Sequence, residues 1–223
     1  MATTADADLD GFLEAMAPRP DSIQREMAER ADRDGFPIVG PVVGGLLHQL
    51  TLATRAERVF EFGSGFGYSA YWIARALGEG DCVVLTEEDP DELAAAEAFF
   101  ERGGYADRAQ FEAGDAMDAI DAAVGPFDLV LIDHDKERYL DAFEAVRADL
   151  TPGGVIVADN AIRAGPMDTA GLVAAFVDGA TVELDATTEG IRRYLAAVRD
   201  DDAFATTVLP IGSGIAVSVR RPG

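Results

Sequence analysis

The period of the hydrophobic positions changes along the chain. Over residues 9–33, apolar side chains fall at Leu9, Phe12, Leu13, Met16, Ile23 and Met27, a helical spacing interrupted by Pro18 and Pro20. The pattern predicts two short amphipathic helices, then a turn at Gly35 and Pro37. Residues 42–53 (VVGGLLHQLTLA) predict a packed helix, weakened by two glycines, in which His48 reads as a packing residue. From Arg58 onward, short apolar runs alternate with helical patterns. Strands are predicted at 58–62, 82–86, 109–113, 127–132 and 155–158. Helices are predicted at 68–77, 90–102, 115–124 and 137–150, with a turn at Pro152-Gly153-Gly154. The run FDLVLI is almost wholly apolar, as in a strand buried on both faces. Strands alternating with helices predict βαβ units and a parallel sheet. The tail differs. A helix at 191–199 precedes two strands, 206–209 and 215–220, joined through PIGSG, which predicts an antiparallel edge. Residues 173–189 have no readable period. The expectation is one α/β domain over residues 1–223, doubly wound and mostly parallel, with N-terminal helices in 1–54 and the α/β core in 55–223.

Charge changes the picture of partners. Lys and Arg number 18 against 41 acids, a formal charge of −23, while 48% of the 223 residues are hydrophobic. That apolar fraction supports a real core and argues against global disorder. A body this negative is a poor partner for nucleic acid or an anionic membrane surface. No apolar run approaches a membrane span. The start, MATTADADLDGF, is unlike a secretory signal, and the lone Cys82 has no internal disulfide partner, so a cytoplasmic setting is expected. The acid-rich, lysine-poor composition resembles that of proteins from salt-loving archaea. GC-rich coding with a solvated acidic surface explains it equally well. The 18 basic residues comprise 17 Arg and a single Lys, Lys136. Its position is therefore informative.

Glu61-Phe62-Gly63-Ser64-Gly65-Phe66-Gly67 leaves a predicted strand and enters a predicted helix. Glycines there allow a tight turn and close approach of a ligand. Gly67 follows Gly63 by four positions, not the five of the dinucleotide fingerprint, and the Lys-Ser/Thr of a phosphate-binding loop is missing. Glu61 disfavours pyrophosphate and suits a cationic ligand. A turn that merely needs glycines is the plainer reading. The pattern E-x-G-x-G-x-G resembles the first motif of S-adenosylmethionine-dependent methyltransferases, whose cofactor carries an ammonium and a sulfonium. On that resemblance Glu87, at the tip of the second strand, is placed to accept both ribose hydroxyls. Asp115 and Ala116, after the third strand, fall where the family contacts adenine. A solvated acidic turn remains the alternative for Glu87.

Asp133 ends the strand FDLVLI, and Asp159 and Asn160 end the strand VIVA. Ligands of open α/β sheets bind beyond the carboxyl ends of the strands. Two carboxylates and an amide oxygen there form a hard, all-oxygen set suited to Mg²⁺, or to another divalent cation such as Ca²⁺ or Mn²⁺. Each acid taken singly also reads as a helix cap. Lys136 lies three residues beyond Asp133. An ammonium beside a bound cation, shielded from water, loses proton affinity and can act as a base, which Arg cannot. The plainer alternative is a surface lysine pairing with nearby acids, a task Arg performs elsewhere in this chain.

The ordered pieces FPIVGPVVGGLL, RVFEFGSGFGYSAYWIARAL, DHDKERY, LTPGGVIVADN and LPIGSGIAVSVRR resemble, from Phe36 to about Arg221, the cation-dependent O-methyltransferases, the group of the catechol and caffeoyl-CoA enzymes. The resemblance implies a Rossmann-like class I methyltransferase fold and transfer of a methyl group from S-adenosylmethionine to a catechol-like small molecule. It implies Asp133, Asp159 and Asn160 as metal ligands and Lys136 as base. It places the cofactor against Val39, Glu61, Gly63, Ser64, Gly65, Gly67, Ser69, Glu87, Asp115, Ala116, Asp133, His134 and Asp135. His134 reads either as an adenine neighbour or as a packed neutral imidazole. A homodimer is implied as well. The sequence departs from the plant branch at Ala164, which lacks the polar substrate contact, while Arg163 either meets an anionic substrate or faces solvent. A metal-independent methyltransferase, a nicotinamide oxidoreductase and a non-catalytic cofactor-binding protein stay open at this point.

Overall fold

The computed structural model of the chain describes residues 4–163, 165 and 167–223. Helices α1 (Thr4–Met16), α2 (Ser22–Asp34) and α3 (Gly40–Thr54) precede β1 (Arg58–Phe62). Then come α4 (Tyr68–Ala74), β2 (Cys82–Glu87), α5 (Pro90–Gly103), β3 (Ala109–Ala113), α6 (Ala116–Ala122) and β4 (Phe127–Ile132). The chain continues through α7 (Tyr139–Val146), β5 (Leu150–Ala158), α8 (Thr169–Val173), α9 (Ala186–Asp200), β6 (Phe204–Leu209) and β7 (Ile215–Arg220). The sheet order is β3-β2-β1-β4-β5-β7-β6. β1 to β5 pair in parallel, β7 runs antiparallel to β5, and β6 runs antiparallel to β7. The fold is the Rossmann-like α/β architecture expected from the sequence, including the antiparallel edge.

Alternate residues of each central strand supply two cores. Val59, Leu129, Leu131 and Val157 face Leu47, Trp72 and Phe100, while Phe60, Phe62, Val130 and Ile132 face Tyr139, Phe143 and Tyr194. Burial on both faces is why these strands read as continuous apolar runs rather than alternating ones. The strand order reverses between β1 and β4, so their carboxyl ends open a crevice at the switch point. Among the described residues no helix is long and apolar enough to cross a membrane.

Two sequence expectations are corrected. Pro152-Gly153-Gly154 is not a turn before the strand but lies inside β5. Pairing steps from Phe127↔Leu150 to Leu129↔Val155, so the extra residues of β5 form an irregularity at its start. A bulge tolerates the proline, and Gly153 adopts φ 84° there. The helix expected over 137–150 divides into a 3₁₀ turn, Lys136–Arg138, and α7, because Asp135 caps the turn by accepting from Glu137 N at 3.2 Å. The unreadable stretch begins at the last residue of α8 and contains a π-helical turn at Ala174–Asp178 and the start of α9. Asp185 caps α9, accepting from Thr188 N at 2.9 Å. Ala164 lies outside the described residues.

Candidate active site

The ladder brings the acidic strand ends together. Beyond the pairs Phe62↔Ile132 and Ile132↔Ala158, Asp133 N donates to Phe62 O at 3.0 Å and Asp159 N donates to Ile132 O at 3.1 Å. Asp133 and Asp159 therefore stand side by side at the ends of β4 and β5. Asn160 follows in the left-handed region at φ 56°. A cleft of about 530 Å³ opens over these ends. Its wall includes every residue implied for the cofactor, the metal or the base except Glu61 and Gly67: Val39, Gly63, Ser64, Gly65, Ser69, Glu87, Asp115, Ala116, Asp133, His134, Asp135, Lys136, Asp159 and Asn160.

Gly67 stands behind the wall. It caps α4 at φ 80°, and a Cβ there would lie 3.1 Å from Ala96 and 3.2 Å from Leu85 and Phe100. Its role is helix–strand packing. Glu61 alternates with Phe60 and Phe62 along β1, so it points toward α4, where Ser69 Oγ donates to its Oε1. Its Oε2 is buried and has no hydrogen-bond partner. Burial pushes this carboxyl up to about 8, against the lowering influence of Ser69. Ser69 lines the cleft, and Glu61 is hydrogen-bonded to it from the buried side.

A raised carboxyl pKa contributes stability below its unfolded value of about 4.5 and loses it as pH rises through about 8. The metal-free protein is therefore expected to melt roughly 5–10 °C lower at pH 9 than at pH 5 on account of this group. Glu61→Gln should flatten that slope in scanning calorimetry. Parallel slopes for wild type and variant would refute the assignment.

Glu87 is held in place by two backbone donors, Gly65 N at 2.8 Å and Asp89 N at 2.9 Å, which leaves lone pairs toward the cleft. Asp115 is already engaged. It caps α6 through Met117 N at 2.8 Å and pairs with Arg138 at 2.8 Å, which holds its carboxyl below the usual range. His134 is packed between rings, stacked on Tyr139 at 5.6 Å and tilted against Phe62 at 5.3 Å. Burial lowers it to about 4, so it is a neutral imidazole. His48 packs α3 on α4, its Nδ1 lying 3.2 Å from Trp72 O.

Lys136 Nζ donates to Asp133 Oδ1 at 3.0 Å and to His134 O at 2.9 Å. The ammonium also sits 5.2 Å from the centre of the Tyr139 ring. Burial raises Asp133 to about 7, with Lys136 opposing and Asp159 reinforcing the shift. Asp159 is also raised, chiefly by burial, although Asn160 N donates to it at 2.6 Å. The site is thus a pair of poorly compensated carboxylates beside one lysine.

Other wall residues came from long-range structure. Phe36, Pro37 and Ile38, in the α2–α3 link, cross the cleft beside the glycine turn. The Phe36 ring meets Phe66 edge-on at 5.0 Å. A Cβ on Gly65 would come within 2.7 Å of the Phe36 ring, so the close approach requires glycine. Periodicity placed this link only in a turn, and its other sequence signal was the piece FPIVGPVVGGLL among those carrying the family resemblance. Arg138 and Ser213 also reach the wall.

Comparison with known proteins agrees with this geometry. Residues 27–221 match the O-methyltransferase family. A catechol O-methyltransferase from Niastella koreensis is 32% identical over 178 residues, covering 77% of this chain and 74% of that one. A catechol O-methyltransferase from Mycobacterium tuberculosis is 35% identical over 161 residues, covering 71% and 73%. Among solved structures, an O-methyltransferase from Bacillus cereus in complex with SAH superposes with a TM-score of 0.81 at 28% identity, covering 96% of this chain and 97% of that one. With the strand-end site, the glycine turn and the sheet order all in place, the chain belongs to the O-methyltransferase family.

Proposed function

We propose that the protein moves a methyl group from S-adenosylmethionine to one hydroxyl of a catechol-like small molecule, assisted by a divalent cation. One observation carries this reading. A single cleft joins the glycine turn and Glu87 to the Lys136–Asp133 pair and Asp159. The names of the catechol-methylating relatives support it.

The residues fit a cation. Among the described residues no group of three or more His, Cys or acidic side chains is arranged to hold a metal. The candidate set is two carboxylates and an amide, and Mg²⁺ binds through one or two carboxylates while keeping several waters. The raised affinity of Asp133 and Asp159 for protons marks a place where positive charge is in demand. Asp133, Asp159 and Asn160 would hold the ion. When bound, the cation and the cofactor supply, respectively, a template that acidifies two adjacent oxygens and an electrophilic methyl group.

The chain's own residues do the rest. Glu87 accepts the ribose hydroxyls, Ser69 is oriented by Glu61, and the buried rings of Phe62 and Tyr139 hold His134 in the cleft wall. Lys136, as the free amine once its own proton has passed to solvent, takes the proton of the accepting hydroxyl. Alignment and charge neutralisation supply most of the acceleration. The resemblance that implies this chemistry also implies a homodimer.

The test is release of S-adenosylhomocysteine and a monomethyl ether from 1,2-dihydroxybenzene in the presence of Mg²⁺. Chelation by EDTA should abolish turnover and excess Mg²⁺ should restore it. Undiminished turnover in EDTA would favour a metal-independent methyltransferase. Absence of any methylated catechol would overturn the reading.

A further inference from the structure

Helix α9 meets the Lys136 turn at closer range than a Cβ allows. Gly190, the one glycine of α9, is buried in its second turn. A Cβ there would lie 2.4 Å from Lys136 O, 2.7 Å from Glu137 Cα and 2.9 Å from the Lys136 carbonyl carbon, where ordinary contact begins at 3.4 Å. All three atoms are backbone, so no change of rotamer relieves the clash. A glycine inside a helix weakens it, and here the close approach requires one. The Lys136 carbonyl is itself held, because Tyr139 N donates to it. Four residues on, Tyr194 continues the contact. Its ring meets the Tyr139 ring edge-on at 5.8 Å, and the Tyr139 ring lies 5.2 Å from Lys136 Nζ.

The start of α9 is anchored in turn. Thr188 is fully buried, donates to Asp185 Oδ2 at 2.5 Å and accepts from Asp168 N at 2.8 Å. Asp168 caps α8 through Gly171 N at 2.9 Å, and Thr169 Oγ1 donates to Ile162 O at 2.8 Å, three residues beyond Asp159. Helix α9 therefore bears on the Lys136 turn and is tied to the segment that leaves the strand end carrying Asp159.

We propose that α9 is the backstop of the Lys136 turn, with Gly190 as a positioning residue that sets where the lysine stands and Thr188 as the anchor that keeps α9 in place. The proposal rests on the reading of Lys136 as the base and deepens it. A 3₁₀ turn of three residues has little rigidity of its own, so what packs behind it fixes its position. The two hydrogen bonds that aim Nζ, to Asp133 Oδ1 and His134 O, depend on that position. A methyl group on Gly190 would demand a displacement of about 1 Å, and a misplacement of that size costs up to roughly 100-fold in rate.

The single lysine makes the test direct. Protein grown on ¹³C-labelled lysine gives one Cε–Hε signal, which reports Lys136 with or without turnover. In wild type the nearby Tyr139 ring should displace that signal from the position of free lysine. In Gly190→Ala the signal should move, and kcat for 1,2-dihydroxybenzene with Mg²⁺ should fall by about 10–100-fold, while S-adenosylhomocysteine still binds in calorimetry. Thr188→Val keeps the shape, removes the hydroxyl and introduces no clash. It should move the signal toward free lysine with a smaller loss of kcat, and Thr188→Ser should restore both. If Gly190→Ala fails to fold, the Thr188 pair decides. An unmoved lysine signal in the folded variants, whatever their kcat, would overturn the proposal. A moved signal with wild-type kcat, or in a protein that methylates no catechol, would uphold α9 as the backstop and remove Lys136 as the base.

Discussion

Lys136→Ala is expected to lower kcat by about 10²–10⁴-fold, the range for loss of a positioned general base, while S-adenosylmethionine binds as before. The lysine stands on the 3₁₀ turn capped by Asp135, and its ammonium is aimed at the strand-end carboxylates by Asp133 and the His134 carbonyl. Nothing in that arrangement requires the one lysine of the chain for stability, because Arg forms the other ion pairs. Lys136→Arg makes the sharper comparison. It keeps the charge and the reach but cannot give up its proton near neutral pH, so it should fail about as badly as alanine. Steady-state kinetics with saturating cofactor and acceptor reads the effect. A wild-type rate in Lys136→Arg would remove the base assignment and leave an electrostatic role.

Asp159→Asn is expected to act in opposite directions on activity and stability. Losing an outer-sphere partner of a metal ligand costs 10–100-fold, so losing a ligand should cost roughly 100-fold or more and abolish stimulation by Mg²⁺. In metal-free buffer the same substitution should raise the melting temperature by a few degrees. Asp133 and Asp159 are both displaced upward by burial, and Asp159 adds to the displacement of Asp133, so charge at one strand end opposes charge at the other. An amide retains the shape and the acceptor for Asn160 N at 2.6 Å without the charge. The gain should grow as pH rises above the ordinary carboxylate range, because a raised carboxyl loses its stabilising contribution as it ionises. Calorimetry with EDTA, paired with activity titrations in Mg²⁺, reads both effects. A variant that still responds to Mg²⁺ as wild type does would exclude Asp159 from the metal set.

Much of the site was readable before the fold. The acids and the lysine sit at strand ends or one turn beyond them, and a strand end is a local property, marked where an apolar run stops. The glycine turn was readable for the same reason, since positive φ at Gly63, Gly65 and Gly67 is a backbone demand of a few consecutive residues. Glu61 shows where local reading stopped. Its motif position pointed to the ligand, but the pleat of β1 turns it toward α4 and puts Ser69 between it and the cleft. Asp115 was read as a cofactor neighbour, and the structure adds a helix cap and an ion pair to Arg138, 23 residues away. The 173–189 segment stayed unreadable because the π-helical turn at Ala174–Asp178 buries none of its residues, so no apolar period marks it.

Sequence by itself determined the alternation of strands and helices, the parallel sheet with its antiparallel edge, and the acids and lysine at the carboxyl ends. Periodicity and turn chemistry act over a few residues and leave their mark in order along the chain. Tertiary structure decided what faces what. The α2–α3 link lies over the glycine turn, and the 161–163 segment is zipped to Ser213 and Gly214. These contacts join residues tens of positions apart. Their energy is won only when the whole sheet assembles, so no local pattern records them.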